Sequence, residues 1–233
     1  MPKISIISRL ADFISPRQCP ICGGRLCVME EDLCAVCNYH LPRTGHYENP
    51  TDNEMARLFY GKIPIERCAA LAFYESRSQA NNLIYKLKYY GSPEVGETLG
   101  RLLAEELERC GFFENVDVIV PLPLARVRER QRGYNQSEKI ARGIRSMTRL
   151  PIERKAVRRL SFSESQTHLE FRERMENVEG AFELVDAHRL AGKHVLIVDD
   201  VVTTGATVTA CARPILRAGD VKISIASVAF TRN

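Results

Sequence analysis

The stretch V-L-I-V-D-D-V-V-T-T-G-A-T, residues 195–207, decides the fold of this chain. Val195, Leu196, Ile197 and Val198 form an apolar, β-branched-rich run, the pattern of a parallel-sheet strand covered on both faces. Asp199 and Asp200 follow at its carboxyl end, the edge where open α/β sheets bind ligands. Thr203, Thr204, Gly205, Ala206 and Thr207 then lead into a helical pattern, so hydroxyls and backbone N–H groups can surround an anion at a helix N-terminus. Two adjacent carboxylates repel a phosphate but accept hydrogen bonds from vicinal hydroxyls. A ribose 5-phosphate satisfies both halves of this cradle.

The segment resembles the 5-phosphoribosyl-1-pyrophosphate (PRPP) signature of type I phosphoribosyltransferases: four apolar residues, two acids, small residues and a Thr-Gly turn. That resemblance implies an α/β fold with a mostly parallel sheet flanked by helices. It also implies that Asp199 and Asp200 hold the ribose hydroxyls and that residues 203–207 hold the 5-phosphate, with Val198 in the same PRPP-binding set.

Working outward, a helix over 205–217 and a strand over 221–229 complete a βαβ unit with the expected right-handed crossover. Pro214 lacks a backbone donor and clashes with the Ala210 carbonyl, which predicts a kink. Upstream, a strand over 116–120 runs into Pro121, Leu122 and Pro123. PRPP also carries a pyrophosphate, usually held with a divalent cation, so the sheet should offer a second anion loop. The V-P-L-P-L-A-R run at 120–126 is the candidate, similar to Pro-x-Pro loops that bind pyrophosphate in amidophosphoribosyltransferase-like proteins; a rigid turn without a ligand is the alternative. Further strands are expected at 68–74 and 182–185, and helices at 80–90, 95–110, 136–147 and 170–177. Residues 126–159 are densely basic, opposed only by Glu129, Glu138 and Glu153. Arg126, Arg128, Arg130 and Arg132 would spread round a helix but share one face of an extended segment, where they could form an anion-binding edge.

At the other end, Cys19-Pro-Ile-Cys22 and Cys34-Ala-Val-Cys37 form two C-x-x-C knuckles on a short connector. Four thiolates so spaced complete the closed tetrahedral shell of a structural zinc site. Cys27, His40 and His46 lie nearby, and either histidine could replace a thiolate, while Cys68, Cys110 and Cys211 read as small core residues. Residues 1–46 thus read as a short amphipathic helix (Ile6, Ile7, Leu10, Phe13, Ile14) plus a metal module. Residues 47–64 read as a linker and 65–233 as the main domain. No apolar run approaches the roughly 20 residues of a membrane span, which makes the cytoplasm the default location and metal binding a better use of cysteine than disulfides. A net charge of +4 does not by itself imply a nucleic-acid partner.

The combination of the paired knuckles, L-K-Y-Y-G at 87–91, P-L-P-L at 121–124, R-G-Y-N-Q-S at 132–137, Q-T-H-L at 166–169, R-x-R-x-x-N at 172–177 and V-D-D at 198–200 resembles the competence protein F (ComF) family. The resemblance spans nearly the whole chain and implies a zinc-binding head on a phosphoribosyltransferase domain, linked to DNA uptake. In related transferases a basic mobile loop closes over PRPP, a part that the 166–174 stretch resembles. By that likeness Gln166 joins the binding set, and Arg172, Arg174 and Lys88 neutralise the departing pyrophosphate. The catalytic set so implied is Asp199, Asp200, Arg172 and Arg174, working on magnesium-bound PRPP. The sequence departs from full amidophosphoribosyltransferases in having neither an N-terminal nucleophilic cysteine nor room for a glutaminase domain, so the nitrogen acceptor is open. Two functions follow as expectations. One is phosphoribosyl transfer, or PRPP binding without transfer. The other is a competence factor that contacts single-stranded DNA through the head and the basic stretch, with the PRPP site regulatory or vestigial; 7% aromatic residues and no Trp argue against extensive base stacking.

Overall fold

The computed structural model describes residues 17–74, 93–160 and 180–232. Its centre is a four-stranded, all-parallel sheet in the order β1-β6-β5-β2. The strands are β1 (Arg67–Phe73), β2 (Val118–Pro121), β5 (His194–Val202) and β6 (Lys222–Phe230). Two short strands, β3 (Val157–Arg159) and β4 (Phe182–Leu184), pair antiparallel beside it. The helices are α1 (Ala35–Tyr39), α2 (Pro93–Glu108), α3 (Arg126–Arg132), α4 (Gln136–Thr148) and α5 (Ala206–Leu216).

Alternation along β5 shows why its sequence is apolar throughout. Leu196 and Val198 face a cluster that includes Leu99, Leu103, Ile140 and Ile144 of α2 and α4. Val195 and Ile197 face another with Val208, Cys211 and Ile215 of α5 and with Met55 and Phe59. Both sheet faces are therefore covered, as a parallel sheet requires. β5 continues past the apolar run 195–198 and through Asp199 and Asp200 to Val202.

α2 and α4 cross at two glycines. A Cβ on Gly100 would meet the Ile140 carbonyl oxygen, and one on Gly143 would meet the Glu97 carbonyl oxygen, so the helices touch backbone to backbone. Residues 47–64, read as a linker, bury Met55, Ala56 and Phe59 completely. Ile21, Leu26, Leu33 and Leu41 of the cysteine module share one apolar cluster with Leu99 and Leu103 of α2. Asp32 and Arg101, and Arg43 and the buried Glu106, form ion pairs across that junction. Pro214 falls in the last turn of α5, which ends two residues later.

The arginine run at 126–132 is a helix, not the extended edge the alternation allowed. Gly133, at φ 78°, takes the left-handed C-cap, and its N–H donates to the Glu129 carbonyl oxygen at 2.8 Å. The expected helices at 80–90 and 170–177, the 1–16 helix and the site residues Lys88, Gln166, Arg172 and Arg174 lie outside the described residues.

Candidate functional site

Register brings the two predicted loops together. Val118 pairs with Val195 and Pro121 with Val198, so the Pro loop leaves β2 one residue short of Asp199 on the neighbouring strand. The Leu122 N–H continues the pairing by donating to the Val198 carbonyl oxygen at 2.9 Å. Asp199 is 8% exposed. Its Oδ1 accepts from Ser137 Oγ at 3.2 Å and from the Asp200 N–H at 2.8 Å, and Asp200 Oδ1 accepts from the Val201 N–H at 2.8 Å. These bonds fix the carboxylates in the last residues of β5, just before the strand ends at Val202.

A cleft of about 170 Å³ opens there. Asp199, Asp200, Val201 and Thr207 line it, together with Leu122, Pro123 and Leu124 of the Pro loop. Asn135, Gln136 and Ser137 bring in the start of α4, and Arg128, Arg132 and Arg159 supply cations. Arg128 and Arg132 are four apart on α3, hence on one helix face. Arg159 stacks its guanidinium over Phe182, 5.3 Å from the ring centroid. Burial, then the neighbouring Arg128 cation, pull its pKa below the usual arginine value, and Asp199 opposes them.

The structure thus gathers Asp199, Asp200, Thr207, Leu122 and Pro123 around one space. Pro121 lines an adjoining cleft of about 160 Å³ with Arg154 and Arg158. Val198 is buried and contributes its carbonyl, while Thr203, Thr204 and Gly205 form the loop beside the cleft, Ala206 opens α5, and none of the four is in the lining. Thr203 and Thr204 are exposed. Gly205, at φ 73°, precedes α5 without a side-chain cap, and a Cβ there would come within 2.9 Å of Phe59 Cε1. Only glycine fits both its backbone conformation and its neighbour.

Gln136, Ser137, Asn135 and Arg159 escaped the sequence reading. R-G-Y-N-Q-S was the available signal, and its parts now have separate jobs: Gly133 ends α3, Asn135 caps α4 through the Ser137 N–H at 3.0 Å, and Ser137 reaches Asp199.

In the head, the sulfurs of Cys19, Cys22, Cys34 and Cys37 lie within 4.8 Å of one another. Cys22 and Cys34 Sγ are 3.8 Å apart, and a tetrahedral ion bound at the zinc–sulfur distance sets its sulfurs about 3.8 Å apart. The Cys37 N–H points at Cys34 Sγ and the Gly24 N–H at Cys22 Sγ, each at 3.4 Å. Burial alone would raise the Cys19 thiol, but backbone N–H groups of Cys34, Cys22 and Ile21 outweigh it and bring it to about 7. Burial and the other sulfurs push Cys37 up, a crowding that a cation resolves. This cluster can hold a metal ion. Cys27 and His40 are exposed outside it. His46 is buried, and its Nδ1 accepts from the Ala70 N–H at 3.2 Å.

A parallel sheet with an acid pair and a Thr-Gly turn at one strand end defines an α/β protein of the type I phosphoribosyltransferase fold. Residues 89–233 match the family described as the phosphoribosyl transferase domain. The chain is 31% identical over 220 residues to DNA utilization protein YhgH of Escherichia coli (strain K12), covering 90% of this chain and 95% of that protein. It is 24% identical over 218 residues to Competence protein F of Haemophilus influenzae, covering 89% and 94%. The chain belongs to the phosphoribosyltransferase family, in the ComF group that these relatives represent. Among solved structures it is similar to glutamine PRPP amidotransferase from B. subtilis complexed with ADP and GMP, at TM-score 0.41 and 22% identity; the match covers 61% of this chain and 30% of that one. No helix among the described residues is long and apolar enough to cross a membrane.

Proposed function

We propose that this chain binds PRPP with magnesium in the cytoplasm and transfers the phosphoribosyl group to a nitrogen acceptor. The observation that carries the reading is the shared cleft: Asp199 and Asp200 stand where the Pro loop and the α4 start converge. Asp199 and Asp200 take the ribose hydroxyls, and the 203–207 loop with the N-terminus of α5 takes the 5-phosphate. Arg172, Arg174, Lys88 and Gln166 are assigned to the pyrophosphate side. Magnesium bound with PRPP would neutralise phosphate oxygens, and a cleft lined by both carboxylates and arginines fits such a ligand. The acceptor nitrogen attacks C1 and forms a C–N bond as the C1–O bond breaks. Pyrophosphate leaves with the electron pair, and the nitrogen sheds a proton. The four cysteines hold structural zinc, since an all-sulfur shell leaves no position for water.

Isothermal titration with PRPP and magnesium tests the reading. Asp199→Asn and Asp200→Asn should each weaken PRPP on the order of tenfold or more; affinity unchanged in both, or no binding by the wild type, rejects it. Binding without pyrophosphate release, with every nucleobase and amine tried, makes the chain a PRPP sensor.

The relatives' names support a second reading, in which exposed cations such as Arg128 and Arg130 on α3 contact single-stranded DNA. Affinity would then fall steeply with salt, and a salt-insensitive or absent interaction counts against it.

A further inference from the structure

The Pro loop has few donors to offer an oxyanion. Pro121 and Pro123 carry no N–H, and the Leu122 N–H is spent on the Val198 carbonyl oxygen at 2.9 Å. The Leu122 carbonyl is also engaged, accepting from Asn135 Nδ2 at 3.0 Å. A diphosphate needs several N–H groups or cations around it, so residues 121–123 shape a wall without supplying them.

Donors come from other elements lining the same cleft. Gln136 is 3% exposed and lines the cleft, and its Nε2 has no hydrogen-bond partner among the described residues. A buried, unpaired amide is a standing cost to the fold, and here it stands where a ligand can satisfy it. A ligand oxygen seated in the cleft beside Gln136 can pair with that amide. Gln136 is also the first residue of α4, a 13-residue helix whose N-terminal partial charge is positive. Arg128, Arg132 and Arg159 line the same cleft. Burial and then the Arg128 cation oppose the Arg159 charge, and an anion held beside both guanidinium groups offsets their repulsion.

We propose that the side chains of Gln136 and Arg159, with Arg128 and Arg132 beside them, hold the diphosphate end of the ligand in place of the backbone of residues 121–123. The assignment rests on the PRPP reading for the ligand's identity, while its chemistry is that of any diphosphate.

Titration of the full chain with inorganic pyrophosphate and magnesium tests it. Gln136→Leu and Arg159→Met should each weaken pyrophosphate on the order of tenfold or more. The melting temperature of Gln136→Leu should hold or rise, since an unpaired buried amide is replaced by an apolar group of similar shape. Arg159→Lys keeps the charge but loses the planar fork, and should fall between Arg159→Met and the wild type. Pyrophosphate affinity within about twofold of wild type in Gln136→Leu and in both Arg159 variants overturns the assignment, as does a wild-type chain that binds no pyrophosphate. Pyrophosphate binding that depends on Gln136, in a chain whose PRPP affinity ignores Asp199 and Asp200, keeps this subsite and rejects the transferase reading.

Discussion

Asn135 ties the start of α4 to the Pro loop: its Nδ2 donates to the Leu122 carbonyl oxygen at 3.0 Å while its Oδ1 accepts from the Ser137 N–H at 3.0 Å. One side chain therefore caps a helix and positions a wall of the cleft. Asn135→Ala should cost about 1–2 kcal/mol in urea unfolding and weaken PRPP as well. Asn135→Asp keeps the cap acceptor but loses the donor to Leu122. It should recover most of the stability without recovering the affinity.

Gly205 has no acceptable replacement. Its φ of 73° and the ring of Phe59, 2.9 Å from where a Cβ would stand, act against any side chain. Gly205→Ala should lower stability by about 1–3 kcal/mol, read as a drop in the thermal midpoint. It should also reduce PRPP affinity, because α5 begins at the next residue.

The α2–α4 crossing predicts a coupled pair. Gly100→Ala or Gly143→Ala forces the helices apart and should cost about 1–3 kcal/mol each. Both methyl groups enlarge the same interface, so the double variant should cost less than the sum of the two, a departure a double-mutant cycle measures.

His46 gives the fold a dependence on acid. Burial, the largest influence, lowers its pKa from 6.5 to about 4, with Glu54 opposing and Arg232 assisting. The unfolded chain takes up the proton first as pH falls, so stability is full above about 6.5 and declines toward about 4. The loss attributable to His46 should be on the order of 3 kcal/mol at most. Urea midpoints from pH 7 to pH 4 check this, and His46→Gln should flatten the profile across that window.

Metal content provides a further check. Purified protein should carry about one zinc per chain, and Cys22→Ser or strong chelation should remove it and lower the thermal midpoint.

Most of the parallel sheet was legible because residues 195–198 are all apolar and 223–229 are apolar or small, so both can be buried on both faces. β3 was not: three residues reading V-R-R, buried, exposed and half-buried in turn, are too few to carry a usable period. The α3 arginines looked equally suited to an extended edge, although Gly133 was a helix-stop signal in plain view. Asp199, Asp200 and Thr207, singled out by the acid pair and the Thr-Gly turn after an apolar strand, do line one cleft. Gln136 and Arg159 could not be singled out in this way, since their meaning lies in burial and in the partners around them. The Pro loop shows the converse. Its sequence announces an anion loop, but a count of donors needs the register that occupies the Leu122 N–H.

The cysteine module and α2 have one interior between them, through Ile21, Leu26 and Leu33 on one side and Leu99 and Leu103 on the other. α2 in turn packs on α4, whose first residues line the cleft. Whatever holds the native chain together at one end therefore guards the other, because both draw on the same unfolding equilibrium. A small molecule seated beside Asp199 should slow the escape of an ion from four sulfurs that share no residue with its cleft.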